Sequence, residues 1–168
     1  GAISELLDWE LIEQLIKIPK LRFVFIGPIT QFDHKIGEIS QTLQQKVLIS
    51  DQVTHIPPVA YSVLKNYLVG FDAGIIPFVI NEKTNPVAPL KLFEYMAMGL
   101  IIFATPTKTL SRFSNIIYVA DKNNLPAKVL ELMNRTNISS FSLDYSNVLN
   151  NADWAKQLKP VISLLEQK

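Results

Sequence analysis

The sequence predicts an α/β protein: a doubly wound, Rossmann-like parallel sheet with helices on both faces. Three features predict it. Short, almost wholly apolar runs of strand length recur at Leu21–Gly27, Phe71–Phe78 and Leu100–Ala104, as strands buried on both faces do. Amphipathic stretches with helical spacing separate them. Glycine and proline mark the junctions, as at Gly27-Pro28 and Gly99, where neither helix nor strand continues easily. Parallel neighbours need crossover connections, and these are right-handed.

The elements follow in order. Ile3 to Ile18 places Leu6, Leu7, Leu11, Ile12, Leu15 and Ile16 on one helical face, with Ser4 as the expected N-cap and Pro19 as the stop. Leu21–Gly27 is the first strand. Between 29 and 58, the pattern allows a helix over Ile36–Leu43 and short strands at Val47–Ile49 and Val53–Ile56. Ala60–Val69 is helical, with Leu64 and Leu68 one turn apart, and Phe71–Phe78 is the next buried strand. The polar stretch Val79–Ala88 is a loop. A helix follows from Pro89 to Met98, closed by Gly99. Leu100–Ala104 and Asn115–Ala120 are strands, and Leu125–Met133 is a helix. Asn134–Asn151 reads as an irregular bridge, and Ala152–Lys168 as a last amphipathic helix kinked near Pro160. Because the chain opens on a helix, a first strand is expected upstream of Gly1.

At 168 residues the chain has the size of one domain. Its 48% hydrophobic content and net charge of +1 exclude a disordered chain and give no general drive toward nucleic acid. Cysteine is absent, which removes disulfides, zinc–thiolate sites and a cysteine nucleophile. No apolar run approaches the 18 or so residues that span a bilayer. The glycosylation-like triplets at Asn134 and Asn137 read as chance.

The richest junction lies between Pro77 and Gly99. Ligands of open parallel sheets bind beyond the carboxyl ends of the strands. There, a helix beginning at Pro89 leaves the amides of Leu90 and Lys91 free, and its dipole favours an anion. Lys91 opposes that dipole, and a bound phosphate would explain its presence. Glu94 follows three residues later on a nearby face. Its carboxylate can accept two hydrogen bonds from a vicinal diol such as a ribose. Spacing alone favours the plainer reading, an ordinary surface Lys–Glu pair.

The string Pro89-Leu-Lys-Leu-Phe-Glu-Tyr-Met-Ala-Met-Gly99 resembles the P-x-K-x-x-E-y-x-A-x-G signature of family 4-type glycosyltransferases, retaining enzymes of the two-domain GT-B fold. Gly1–Asp8, Phe23–Pro28, Phe71–Phe78 and Leu100–Pro106 are similar to flanking pieces of that family's C-terminal domain, in the same order. The resemblance implies that residues 1–168 are a single donor-binding domain. The N-terminal acceptor domain would lie outside this chain, which alone would be inactive. It implies a nucleotide diphosphate sugar as donor, with no cofactor and no metal, and a role in polysaccharide or glycoconjugate synthesis. A cytoplasmic setting follows, with any membrane contact made through the missing half. By the same resemblance Glu94 would hold the ribose and Leu90 with Lys91 the diphosphate, with Pro89 among the substrate-binding residues. The loop Gly1–Ile3, with Gly1 and Ala2 in contact, would lie near the diphosphate or sugar, Pro57, Pro58 and Val59 would border the base, and the last helix around Trp154 would pack across the domain junction. Many relatives carry a second glutamate where this chain has Pro86. Glu82 is out of register, and Asn85 is the nearest polar stand-in. The basic pair usual near the start of the domain is missing from Gly1–Trp9, and Pro57 stands where relatives often have glycine.

The remaining residues are plainer. His34 and His55 read as structural, and Asp72 as a group turned toward a loop amide or helix end. The Met96–Met98 pair and the phenylalanines read as core, and Lys108 and Arg112 as a solvated helix face. No Walker loop and no Gly-x-Gly-x-x-Gly is present. The competing reading is a non-catalytic binding module with a degenerate glycosyltransferase fold, which Pro86 and the missing basic pair favour. A flavodoxin-like signalling domain would need an acidic cluster at its first strand, and none is visible.

Overall fold

A computed structural model describes residues 1–30, 38–134 and 144–151. The expected helix over 152–168, Trp154, His34 and the triplet asparagine Asn137 lie outside them. The described chain is α/β with parallel strands flanked by helices. In order it runs α1 (Trp9–Leu15), β1 (Phe23–Ile26), α2 (Glu38–Leu48), β2 (Val53–Ile56), α3 (Tyr61–Leu68) and β3 (Ala73–Ile76). Then come α4 (Leu90–Ala97), β4 (Ile101–Ala104), α5 (Lys108–Ser111), β5 (Tyr118–Val119), α6 (Leu125–Met133) and α7 (Ser146–Asn151). Among the described residues every pairing between these strands is parallel, with Phe23 opposite Val53, Ala73 opposite Ile101 and Phe103 opposite Tyr118, and an isolated antiparallel bridge joins Leu7 to Phe78. The hydrogen bonds form two groups, β1-β2 and β3-β4-β5.

β4 shows why the helices lie on both faces. All four of its residues are buried, and alternate side chains face opposite layers. Ile102 and Ala104 join Leu92 and Met96 of α4, Leu110 of α5 and Tyr145. Ile101 and Phe103 join Leu11 and Leu15 of α1 and Leu125, Val129 and Leu132 of α6. Ile102→Ala is therefore expected to cost about 2–5 kcal/mol, the range for truncating a fully buried isoleucine. Urea unfolding checks this through its midpoint.

Several boundaries differ from expectation. α1 starts at Trp9, capped by Asp8 rather than Ser4: Asp8 Oδ1 accepts from the Leu11 amide at 2.9 Å. Residues 3–8 form instead a turn, closed by the Leu7 amide on Ser4 O, between two bridge residues, Ile3 and Leu7, because their amides and carbonyls serve neighbouring strand ends. The Ile3 amide donates to Pro28 O, the Asp8 amide to Pro77 O, and the Val79 amide to Leu6 O. The expected strand at Val47–Ile49 is absent, since Val47 and Leu48 end α2 and Val47 is fully buried there. Part of the expected bridge over Asn134–Asn151 is helical, as α7. It is anchored by buried Tyr145, whose hydroxyl donates to Leu100 O at 2.9 Å. Asp72 is exposed and lies just before β3, capping no described helix. No described helix is long and apolar enough to cross a membrane.

Candidate functional site

The loops after β1 and β3, the start of α4 and the start of α3 converge on one cleft. α4 begins at Leu90, one residue later than the sequence suggests. Pro89 is its N-cap, extended at φ −72° and ψ 131°, with no side chain able to bond the first amides. Among the described residues nothing plugs the amides of Leu90 and Lys91. They are the positive end of a two-turn helix directed at open space. Leu90 itself is 72% exposed.

Lys91 folds back toward the sheet. Its Nζ lies 5.7 Å from the centroid of the Phe78 ring, a weak cation–π contact. A Cβ on Gly1 would stand only 3.3 Å from it. Among the described residues Lys91 forms no ion pair. Burial pushes its pKa below the usual lysine value, and the nearby charge of Glu94 offsets this in part. A shielded cation without a partner is costly unless a ligand supplies the counter-charge.

Glu94 is half-buried, one turn beyond Leu90 and facing the same cleft as Lys91 and Gly1. Its carboxylate accepts a hydrogen bond from the Tyr61 phenol, and the negative charge of Glu94, then that bond, raises the Tyr61 pKa. A carboxylate offers about four acceptor positions, so one phenol leaves room for two hydroxyl donors. Next to it, burial, then the Glu94 charge, pushes the Tyr95 phenol up to about 12. A groove of about 290 Å³ opens beside Glu94 between α3 and α4, lined by Tyr61, Leu64, Lys65, Leu68 and Met98.

The structure thus brings together Gly1, Pro89, Leu90, Lys91 and Glu94. Ala2 is exposed beside Gly1, and Pro58 and Val59 lead into the start of α3 without lining the cleft. Asn85 is committed on one side: its Oδ1 accepts from the Lys108 amide at 2.9 Å, and its NH₂ group has no hydrogen-bond partner among the described residues. His55 is structural as read, its Nε2 donating to Gly27 O at 2.9 Å. Tyr61 was missed. No spacing links it to Glu94, 33 positions away, and only the folded sheet places the two together.

No protein-family model matches the chain. It is 29% identical over 113 residues to TuaH of Bacillus subtilis (strain 168), a protein whose name proposes it as a glycosyltransferase of teichuronic acid biosynthesis. The match covers 67% of this chain, and the chain spans 27% of the length of that relative.

Proposed function

We propose that the chain is the donor-binding domain of a glycosyltransferase acting in polysaccharide or glycoconjugate synthesis, of GT-B type and with retention of configuration, as the family 4-type resemblance implies. The observation that carries this reading is the pairing of an uncapped α4 N-terminus with an unpartnered Lys91, one turn from Glu94. A nucleotide diphosphate fits that spacing: phosphoryl oxygens at the Leu90 and Lys91 amides and the Lys91 ammonium, ribose hydroxyls at Glu94. In the transfer, an acceptor hydroxyl oxygen bonds to the anomeric carbon as the bond from that carbon to the diphosphate oxygen breaks, and the hydroxyl proton passes to the departing diphosphate. The helix end and Lys91 stabilise the charge growing on the leaving diphosphate. The acceptor is held by the N-terminal domain, and cytosolic nucleotide sugars supply the donor. The likeness to TuaH supports a transferase of this kind.

The alternative, a binding module that kept the fold and lost the chemistry, is favoured by Pro86 at the second-glutamate position and by the engagement of Asn85 with Lys108. Calorimetry with UDP, GDP and ADP tests both. Binding at millimolar affinity or tighter is expected for at least one. Glu94→Ala should weaken it roughly tenfold or more, the worth of hydrogen bonds to a charged group, with circular dichroism unchanged. A folded protein that binds no nucleotide overturns the donor-site reading.

A further inference from the structure

Two helical stripes face each other across the groove between α3 and α4. On α3, Tyr61, Leu64, Lys65 and Leu68 recur at the spacing of one helix face. On α4, Glu94, Ala97 and Met98 form the facing stripe. Leu68 is buried and Leu64 half-buried, whereas Tyr61 and Lys65 are exposed. The groove is therefore apolar at its floor and polar at its rim. Its volume of about 290 Å³ falls just below the roughly 300–1,000 Å³ of pockets that take a whole ligand. It suits one ring system of a larger molecule.

Position says which ring system. Glu94 lines two spaces, the cleft that also holds Lys91 and the groove that does not. Lys91, Glu94 and Met98 follow one another at about one turn each along α4. A nucleoside diphosphate has its parts in a matching order: diphosphate, ribose, base. With the diphosphate at Lys91 and the ribose diol at Glu94, the base leaves the ribose beside the 2′-hydroxyl, on the side away from Lys91. The groove is the apolar space on that side. Pro58 and Val59, which the family resemblance sets beside the base, line neither space.

The rim offers two kinds of recognition. The Tyr61 ring is 76% exposed, and its hydroxyl is bonded to the Glu94 carboxylate. A ring held at its tip beside the ribose seat keeps a face open for stacking. Stacking accepts any base, because every base has a π-face. Selectivity has to come from a polar neighbour. Lys65 lies one turn after Tyr61, and its ammonium has no partner among the described residues. An ammonium only donates. Uracil and guanine offer it a carbonyl oxygen, whereas adenine carries an amino group in the corresponding place.

We propose, resting on the donor-site reading above, that the α3–α4 groove seats the nucleobase. The base stacks on the Tyr61 ring and turns a carbonyl edge toward Lys65. The donor is then a uridine or guanosine diphosphate sugar rather than an adenosine one.

Calorimetric titration of the chain with UDP, GDP and ADP, and with ribose 5-diphosphate as the base-free probe, tests this. UDP or GDP should bind about fivefold or more tighter than ADP, the discrimination that a hydrogen bond to a base edge gives. Lys65→Met should abolish that preference and leave ADP binding unchanged. Tyr61→Ala should weaken the preferred nucleotide about tenfold, as loss of a stacked base does, and leave ribose 5-diphosphate unchanged. Tyr61→Phe, which loses the bond to Glu94 and keeps the ring, should bind the nucleotide as the parent does. ADP as the tightest ligand overturns the proposal. So do equal losses of nucleotide and ribose 5-diphosphate in Tyr61→Ala, which would leave Tyr61 only a support for Glu94. Nucleotide binding that ignores both Tyr61→Ala and Lys65→Met puts the base elsewhere and leaves the donor site standing. A folded chain that binds none of the four probes overturns the donor-site reading as well.

Discussion

Lys91→Met should weaken nucleotide binding about tenfold to a hundredfold while leaving the unliganded protein at least as stable as before. The two halves of this result have one cause. The ammonium is shielded from water and faces no carboxylate within ion-pair reach among the described residues. In the empty protein it is a desolvated charge that Glu94 compensates only in part, and an apolar chain of similar length relieves that cost. With a diphosphate bound, the same charge makes charge-assisted hydrogen bonds worth roughly 1.5–3 kcal/mol. The pH dependence follows. Since folding depresses the Lys91 pKa, the folded state sheds its proton at a lower pH than the unfolded state. Between the depressed value and the ordinary 10.5, the unfolded chain binds more protons, so stability rises with pH. Lys91→Met should lack that rise. Thermal melts across alkaline pH and calorimetry measure both parts. A variant that unfolds would show instead that Lys91 holds the fold.

α4 was legible because its signals are local. Gly99 takes φ +68° just after the helix, where glycine is nearly free of strain, and proline stands at the other end. Lys91 and Glu94 inherit that legibility, since helical spacing fixes their relation. The start of α1 was not legible. Leu6 and Leu7 continue the apolar spacing of Leu11 and Ile12, yet a turn with a bridge to the strand end wins because the Leu6 carbonyl and Asp8 amide bond residues 77–79. Nothing within the first ten residues reveals partners seventy positions away. Val47 shows the opposite error, as a β-branched residue suggests a strand, but its complete burial at the end of α2 outweighs a small propensity. Tyr61 belongs to the same class. Its approach to Glu94 depends on which elements the topology sets side by side, and periodicity carries no record of that.

Gly74→Ala should lower stability by about 1–3 kcal/mol, the usual cost of overpacking a tight core, and weaken nucleotide binding with it. A Cβ at Gly74 would stand 2.2 Å from Tyr95 Cδ2 and 2.6 Å from both Cε2 and Cγ. Cγ sits at the root of the ring, so the clash is not relieved by turning a flexible tip. α4 itself has to retreat from β3. Alanine gains about 0.5–1 kcal/mol over glycine in backbone terms, which offsets part of the loss and no more. Glu94 precedes Tyr95 directly, and Lys91 lies one turn back, so a retreating helix carries both away from the mouth of the strands. A displacement near 1 Å is enough to spoil a positioned constellation. Adding Tyr95→Ala removes the obstructing ring. The double variant should therefore be less destabilised than the two single losses summed, a coupling that residues in contact show, and it should recover part of the nucleotide affinity. Differential scanning calorimetry and nucleotide titration of the four proteins read both quantities. If Gly74→Ala proves neutral in each, β3 does not fix the position of α4, and the cleft owes its geometry to other contacts.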